Sequence, residues 1–330
     1  MDSDKTLKSF RFHLAYFVPP VKFEELRFDV FLELCRQAQI ATTELNDDFF
    51  NQYLKEKNNS PSFDLIIHTL SDIICETVDP AWLQLLDYLR MQSPKTIIID
   101  SPDKIFPLLD RYEQYCILSD AAAKGANVFH VPPYLRVLED DDEHDIESSL
   151  AKLSINFPLI CKPLKCDAPL SSHYHKIVFD KEHLTECNRP CILQQFIEHD
   201  AVLFKINVVG KDIFQVVERK SVRNLKNEKI HDTIAFNSLD VSGLDSNDEL
   251  SKNQNGISPS AKIIDETRLQ NIAHLVREQF QLNLLSIDIL KVSNTNDYAV
   301  VDVNYFPCYD SMDDAPQNIF RLCLSKLEAK

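Results

Sequence analysis

The sequence predicts an α/β protein with a largely parallel sheet in its N-terminal third, and three observations carry that expectation. Short apolar runs alternate with amphipathic helical stretches across residues 1–105, the pattern of strand–helix–strand units that pair in parallel. The 330 residues are 44% hydrophobic and 26% charged, ordinary for a chain that buries a substantial core, and the length suits two or three subdomains. Near the C-terminus, residues 284–290 and 298–303 are short, rich in Ile and Val, and separated by the turn formers Ser293-Asn294-Thr295-Asn296-Asp297. That reads as a β-hairpin buried on both faces.

Residues 12–18, FHLAYFV, form a first strand stopped by Pro19-Pro20, and Lys22 follows in a loop. Ligands of parallel sheets gather at the carboxyl ends of the strands, where Lys22 is placed; a solvated loop lysine is the alternative. In 28–39 the apolar residues at 28, 31, 34 and 35 describe a helix face. Strands are expected at 65–67 and 96–99, with an amphipathic helix at 81–91 between them. Asp100-Ser101-Pro102-Asp103 marks a boundary, giving a first domain of 1–105 and a second of 106–330 that opens on a helix over 105–119 carrying Arg111. The acidic run 139–147 is a solvated loop or the first turn of a helix, where negative charge is favoured, and carries no chemistry.

Further strands are expected at 157–162, ending in Lys162, and at 176–179. The stretch 191–209 divides into a strand ending in Gln194-Gln195 and a strand carrying Lys205; 213–219 then delivers Arg219, with Ser221 two residues on. A lone cation on a strand is usually solvated. Lys205 lies in VLFKINVV, apolar on both faces, and there it wants an anionic partner. Residues 221–260 have no sustained period and read as a mobile loop, either a lid or plain surface linker. An amphipathic helix over 267–280 leads into the hairpin, and a helix over 315–327 closes the chain.

The net charge of −16 argues against a nucleic-acid surface or an anionic membrane, so an anionic ligand would need a local basic cluster. No N-terminal apolar segment is present, and no run approaches the ~18 residues of a membrane span. The nine cysteines are scattered and lack zinc-finger spacing, Cys187 and Cys191 being the closest pair; reduced thiols of a cytoplasmic, monomeric protein are expected. None of the four glycines lies in a G-x-G-x-x-G or G-x-x-x-x-G-K arrangement, which argues against both a Rossmann site and a P-loop.

The hairpin carries the sharpest chemical signal. Asp288 sits inside its first run, and Asp302 and Asn304 near the end of its second. Carboxylates are rarely buried without a partner, and two Asp with one Asn at facing positions offer hard oxygen ligands that suit Mg²⁺ holding a nucleotide's phosphates. Turn or N-cap aspartates are the alternative for any single one. Lys162, Lys205 and Arg219 supply cations on the preceding strands.

Taken in order, FPLICKPL, SSHYHKIVF, CILQQFIEHDAVLFKINVVG, VVERKS, SIDIL and VDVNYFPCY resemble the inositol-tetrakisphosphate 1-kinases (inositol 1,3,4-trisphosphate 5/6-kinases) of the ATP-grasp superfamily. ELRFDVFLELCR, DLIIHTLSD, IIIDSP and LLDR extend the likeness over about residues 12–327. The resemblance implies an ATP-grasp fold, α/β or α+β, with ATP and Mg²⁺, two ions, between two subdomains of the second domain. It implies that inositol polyphosphates bind against the N-terminal domain, and that inositol 1,3,4-trisphosphate is phosphorylated at the 5/6 position and inositol 3,4,5,6-tetrakisphosphate at the 1 position.

Carried over position by position, Lys22 matches a substrate-phosphate lysine and His173 a substrate-binding histidine. Arg111 and Lys162 match nucleotide-contacting cations. Gln194, Gln195, Phe196 and Ile197 belong to a hinge that grips adenine through its backbone, and Lys205 at its end also reaches substrate. Arg219, Ser221, Ser238 and Ser242 match positions lining ATP. Asp288, Asp302 and Asn304 match magnesium ligands, Asn304 also lying near substrate. Lys205 and Arg219 are the residues expected to offset charge developing on the transferred phosphoryl group. No general base stands out, and His173 is given a binding role.

The chain departs from the family pattern where Ala15, Ala168, Ser286 and Cys308 stand in place of common glycines. A glycine often permits positive φ or close approach to a ligand, so Cys308 is expected to crowd the substrate or shift specificity. A catalytically impaired module that binds nucleotide or inositol phosphate, and an ATP-grasp carboxylate–amine ligase, are the other readings; Lys22 and Ser172-His173 favour the kinase over the ligase.

Overall fold

The computed structural model of the protein describes residues 10–55, 62–69, 71, 80–92, 94–126, 128–166, 171–225, 232–243, 248–252 and 264–329. The chain divides into two units, Met1–Pro102 with Cys308–Lys330, and Asp103–Pro307.

In the first unit, β1 (Phe12–Phe17) is followed by α1 (Pro20–Glu25), α2 (Phe28–Gln37), β2 (Ile40–Glu44), α3 (Asp47–Lys55), β3 (Leu65–His68), α4 (Pro80–Arg90) and β4 (Ile97–Ile99). The strands form one sheet in the order β2-β1-β3-β4, every neighbouring pair parallel, as the strand–helix alternation predicts. β3 is buried along its whole length, the mark of a central parallel strand covered on both faces. α2 buries Phe28, Phe31 and Cys35, one helical stripe. β2 and α3 were not expected. IATTE has only one fully buried position, too little for a period to register. Lys22 lies on α1 rather than in a loop, since Pro20 opens a helix whose first N–H needs no partner.

The second unit begins with α5 (Pro102–Ile105), which crosses the boundary, and a 3₁₀ turn Phe106–Leu109. The helix expected over 105–119 is broken at Asp110, whose extended backbone caps a new helix, α6 (Arg111–Lys124), by accepting from the Tyr112 and Glu113 N–H groups. β5 (Tyr134–Val137) and α7 (Glu143–Lys152) follow. The acidic run supplies the start of α7: Asp142 caps it by accepting from the Asp145 N–H. Asp142, His144 and Asp145 are exposed and close together, which this capping explains.

β6 (Leu159–Pro163), β7 (Tyr174–Val178), β8 (Cys191–Gln195), β9 (Val202–Val209), β10 (Ile213–Lys220), β11 (Ile234–Asn237) and α8 (Ser238–Ser242) come next. The unit ends with α9 (Glu266–Phe280), β12 (Leu284–Lys291) and β13 (Tyr298–Tyr305). Two antiparallel sheets result, one ordered β11-β7-β6-β8-β5 and the other β10-β9-β12-β13. The expectation of an unstructured 221–260 is corrected here. β11 pairs with β7 at the sheet edge and α8 follows it, both too short for sequence periodicity to register.

α10 (Ala315–Glu328) returns to the first unit, where its Phe320 ring meets Phe31 at 6.5 Å. Dividing the chain in sequence order, 106–330, therefore separates this helix from the domain it packs on. Cys35, Cys116, Cys161, Cys166, Cys187, Cys191, Cys308 and Cys323 are all free thiols. Among the described residues no helix is long and apolar enough to cross a membrane.

Candidate active site

The four-stranded sheet of the second unit has one apolar face and one charged face, and its register says why. Side chains alternate along a strand, and directly opposed residues share a face. Phe204, Ile206, Ile287 and Ile289 fall on one side, all buried. On the other, Lys205 stands opposite Asp288, which stands opposite Asp302. Ser286 stands opposite Asn304 one row further on, and Arg219 opposite Leu203 in the row before. Lys205 thus stands across from a carboxylate, the kind of neighbour that its apolar strand demanded. Burial pushes the Asp288 carboxyl up from its usual range, Lys205 draws it back and Asp302 adds to the rise. Its Oδ1 is buried with no hydrogen-bond partner among the described residues. Two carboxylates and an amide oxygen on one sheet face form a hard donor set that fits a divalent cation.

β13 is the edge strand of this sheet, and what covers that edge shapes the site. The register shifts by one residue between Asp288 and Ile289, so that Val301 is the extra residue of a bulge. Its carbonyl accepts from Tyr115 Oη at 3.1 Å and from Lys162 Nζ at 3.3 Å. Two residues on, Gln114 donates Nε2 to the Val303 carbonyl at 2.9 Å, and its Oε1 accepts from the Val303 N–H at 3.2 Å. The amide side chain thereby does for Val303 what a further strand would do, on either side of Asp302 and Asn304. Arg111, Gln114, Tyr115 and Leu118 lie at helical spacing on the buried stripe of α6.

Lys162 reaches into the same place from β6 and also donates to Tyr115 Oη at 2.9 Å. An ammonium has three N–H groups, and two are used. Burial pulls this lysine down to about 8, helped by Arg111 and opposed by Asp302 and Asp288. Arg111 is 3% exposed, donates Nη2 to the Ser172 carbonyl at 2.8 Å, and pairs with Asp302 at 3.5 Å. Burial likewise holds His173 below the ordinary imidazole range, with Asp302 opposing and Arg111 and Lys205 reinforcing. Its Nδ1 lies 3.2 Å from Ser238 Oγ, so these two expected site residues share a hydrogen bond.

The hinge segment is held from both sides. The Gln195 N–H donates to Pro133 O and the Phe196 N–H to Pro158 O, both at 2.9 Å, so for those two residues the backbone group left for a ring is the carbonyl. Ser221 Oγ lies 2.7 Å from His199 Nε2, and Ser242 Oγ donates to Ser238 O at 2.7 Å within α8. Gln194 is buried at the end of β8, and Ile197 O lies against His199 Nδ1.

Lys22 belongs to the first unit. Its Nζ donates to Cys308 Sγ at 3.4 Å, and that thiol donates to Glu25 Oε2 at 2.8 Å. Burial pushes the Cys308 thiol up to about 11; Lys22 lowers it and Glu25 raises it. The thiol at a position expected to be glycine is therefore engaged by α1. Ala15 and Ser286 are fully buried strand residues, and Ala168 lies outside the described residues.

Sequence reasoning missed Asn207 and Ser286 as parts of this face, and Gln114 and Tyr115 as the cover of its edge strand. The available signal was polar residues on otherwise apolar stripes: Gln and Tyr on the buried side of a helix, Asn in the middle of VLFKINVV.

Two antiparallel sheets, one bearing a carboxylate pair and the other a buried lysine aimed at its edge strand, define an ATP-grasp protein, and solved structures share the architecture. The ATP-grasp ligase from Chryseobacterium gregarium, solved with ADP and leader and core peptides, superposes with a TM-score of 0.60 at 13% identity over 95% of this chain and 97% of that one. D-alanine–D-alanine ligase from Bacillus anthracis gives 0.55 at 11% over 97% and 98%. At such identities they show the fold alone.

Sequence comparison is more specific. Residues 123–322 match the inositol 1,3,4-trisphosphate 5/6-kinase ATP-grasp domain and 13–105 its pre-ATP-grasp domain, and the chain belongs to that family. It is 32% identical to inositol-tetrakisphosphate 1-kinase of Danio rerio and 31% to that of Xenopus laevis, each over 91% of this chain and 75% of the relative.

Proposed function

We propose that the protein is an ATP- and Mg²⁺-dependent inositol polyphosphate kinase. Its substrates are inositol 1,3,4-trisphosphate, phosphorylated at the 5/6 position, and inositol 3,4,5,6-tetrakisphosphate, phosphorylated at the 1 position. The observation that carries this reading is the single sheet face on which Asp288, Asp302 and Asn304 lie together beside Lys205 and Arg219.

Asp288, Asp302 and Asn304 hold Mg²⁺, in two ions, which when bound neutralises charge on the β- and γ-phosphates. Lys162, with one N–H uncommitted, and Arg111 take nucleotide phosphate oxygens. Lys205 and Arg219 offset the charge that develops on the phosphoryl group in flight, where fixed cations cost no reorganisation. Gln194, Gln195, Phe196 and Ile197 hold adenine, and Ser221, Ser238 and Ser242 line the nucleotide. Lys22, His173, Lys205 and Asn304 bind the inositol phosphate. Burial holds the His173 imidazole below its ordinary range in the unliganded protein.

The test incubates the purified chain with γ-labelled ATP, Mg²⁺ and a panel of inositol tris- and tetrakisphosphates, resolving products by anion exchange. Label transfer to inositol 1,3,4-trisphosphate and inositol 3,4,5,6-tetrakisphosphate is expected. ATP binding without transfer to any acceptor would overturn the kinase reading, as would phosphate release that depends on an amino acid.

A further inference from the structure

The segment that leads from β8 to β9 crosses from one sheet of the second unit to the other. Its exit is bent in a way its own residues do not favour. Asp200 and Ala201 take φ of 58° and 59°, two successive left-handed residues of which neither is glycine. A side chain makes that conformation unfavourable, and it persists only where the surroundings over-determine it. Here the surroundings are Asn224 and Ser293. Asn224 Oδ1 accepts from two consecutive backbone N–H groups, that of His199 at 3.0 Å and that of Asp200 at 2.7 Å. Asn224 Nδ2 donates to Asp200 Oδ1 at 2.6 Å and to Ser293 Oγ at 3.3 Å, and Ser293 Oγ donates to the same carboxylate oxygen at 2.6 Å. The Ser293 N–H donates to the Glu198 carbonyl at 2.8 Å, and the Leu225 N–H to Glu198 Oε1 at 3.2 Å. Three stretches distant in sequence are joined: the crossover, residues 221–225 after β10, and the turn of the hairpin that carries Asp288 and Asp302.

The Asn224 amide can sit only one way. Backbone N–H groups donate and never accept, so the atom facing two of them is the oxygen. Its nitrogen then faces the Asp200 carboxylate, which accepts. The same joint reaches two positions already assigned to the nucleotide. Ser221 donates its N–H to the Ala201 carbonyl at 2.9 Å, and its Oγ lies 2.7 Å from His199 Nε2. His199 Nδ1 lies 2.5 Å from the Ile197 carbonyl, and because a carbonyl only accepts, that nitrogen carries a hydrogen. One imidazole thus spans from the hinge to Ser221, and Asn224 holds its backbone N–H.

We propose that Asn224 is a positioning residue of the nucleotide site. It locks the crossover between the two sheets in its left-handed bend and, through His199, fixes the hinge carbonyl of Ile197 and the Ser221 hydroxyl relative to each other. Asp200 and Ser293 complete the lock. The proposal rests on the ATP role assigned above to residues 194–197 and Ser221, and extends it to the side chains that hold them in place.

The test measures ATP binding to the full-length protein by titration calorimetry with Mg²⁺ present, at a temperature where circular dichroism shows each variant folded. The proteins compared are wild type, Asn224→Asp, Asp200→Asn and the double variant. Asn224→Asp keeps an oxygen for the two N–H groups but sets a carboxylate against that of Asp200, and is expected to weaken ATP binding about 10-fold. Asp200→Asn is expected to change it less than about 3-fold, since an amide oxygen still accepts from Asn224 Nδ2. In that background an amide N–H can turn to the new carboxylate at 224, so Asn224→Asp is expected to weaken binding less than about 2-fold. A side chain that only supports the fold would move the urea midpoint and leave the ATP affinity of the folded protein alone. Unchanged affinity in Asn224→Asp, or equal effects in the two backgrounds, would therefore overturn the lock. If Asn224→Asp does not fold by itself, Asn224→Ala, which brings no charges together, is expected to weaken ATP binding about 5-fold. Wild-type affinity in that variant would likewise overturn the proposal. A wild-type protein that binds no ATP would sink the nucleotide reading and the lock together, whereas ATP binding with an additive cycle removes only the lock.

Discussion

Gln114→Met tests how the edge of β13 is held. Methionine matches glutamine in length and flexibility but makes neither hydrogen bond to Val303. That residue is 2% exposed, and its carbonyl faces away from β12, so Gln114 Nε2 at 2.9 Å is its partner among the described residues. The Val303 N–H is less exposed to the loss, since it also lies 3.1 Å from Asp302 Oδ1. Orphaning a buried polar group costs about 1–3 kcal/mol, and one orphaned carbonyl with one weakened N–H puts the variant at about 2 kcal/mol. The functional effect follows from the same geometry. With Gln114 gone, the Val303 N–H draws on the Asp302 carboxylate alone and competes with an ion for it. A loss of about 0.7 kcal/mol in ion binding is roughly a 3-fold rise in the Mg²⁺ concentration that half-saturates turnover. Urea denaturation followed by circular dichroism measures the first quantity, and initial rates against Mg²⁺ the second. Unchanged values of both would refute the view that this side chain holds the strand bearing two of the proposed ligands.

Asp302→Ala is expected to abolish Mg²⁺-dependent turnover and to lower the unfolding temperature, because it removes a proposed ligand and leaves the buried Arg111 guanidinium without its carboxylate; residual turnover above about one-thousandth would contradict the assignment. Nucleotide affinity should fall about tenfold as pH rises through about 8, where Lys162 loses its charge, and Lys162→Met should be weak at every pH; calorimetric titration with ATP checks both. The same group shapes stability. With a folded pKa of about 8 against 10.5 for the free side chain, the unfolded chain binds more protons between those values, so this lysine makes unfolding harder as pH rises across that window. Cys308→Gly releases Lys22 Nζ from the thiol, and is expected to lower KM for the inositol phosphate without moving KM for ATP. Parallel changes in both constants would show that the thiol does not act through Lys22.

Much of this was legible before any coordinates. Strands buried along at least one face announced themselves, β3, β9 and both arms of the hairpin among them, as did helices with a full stripe such as α2 and α9. The residues proposed as ligands stood out too, since Asp and Asn inside apolar runs are costly to bury without a partner. β2, β5 and β11 were not, because strands of four or five residues with mixed burial carry no period above noise. The break at Asp110 was hidden for a different reason. An N-cap aspartate in a polar stretch looks like any other until its side chain is seen accepting from two backbone N–H groups.

The sequence by itself determined the inventory: a parallel α/β domain, a buried hairpin with hard oxygen donors, and strand cations of which Lys205 lies in a run too apolar to leave it unpaired. The tertiary structure decided who faces whom. Lys205 and Asp288 are paired by strand register, and a slip of one residue would have sent either to the opposite face. No local pattern encodes that choice, because it is made by the burial of Phe204, Ile206, Ile287 and Ile289 on the other side of the same sheet. The covering of the β13 edge by Gln114, Tyr115 and Lys162 is likewise tertiary. Hydrogen-bond partners far apart in sequence meet there only because a buried edge must have its N–H and C=O groups satisfied by whatever the fold brings to it.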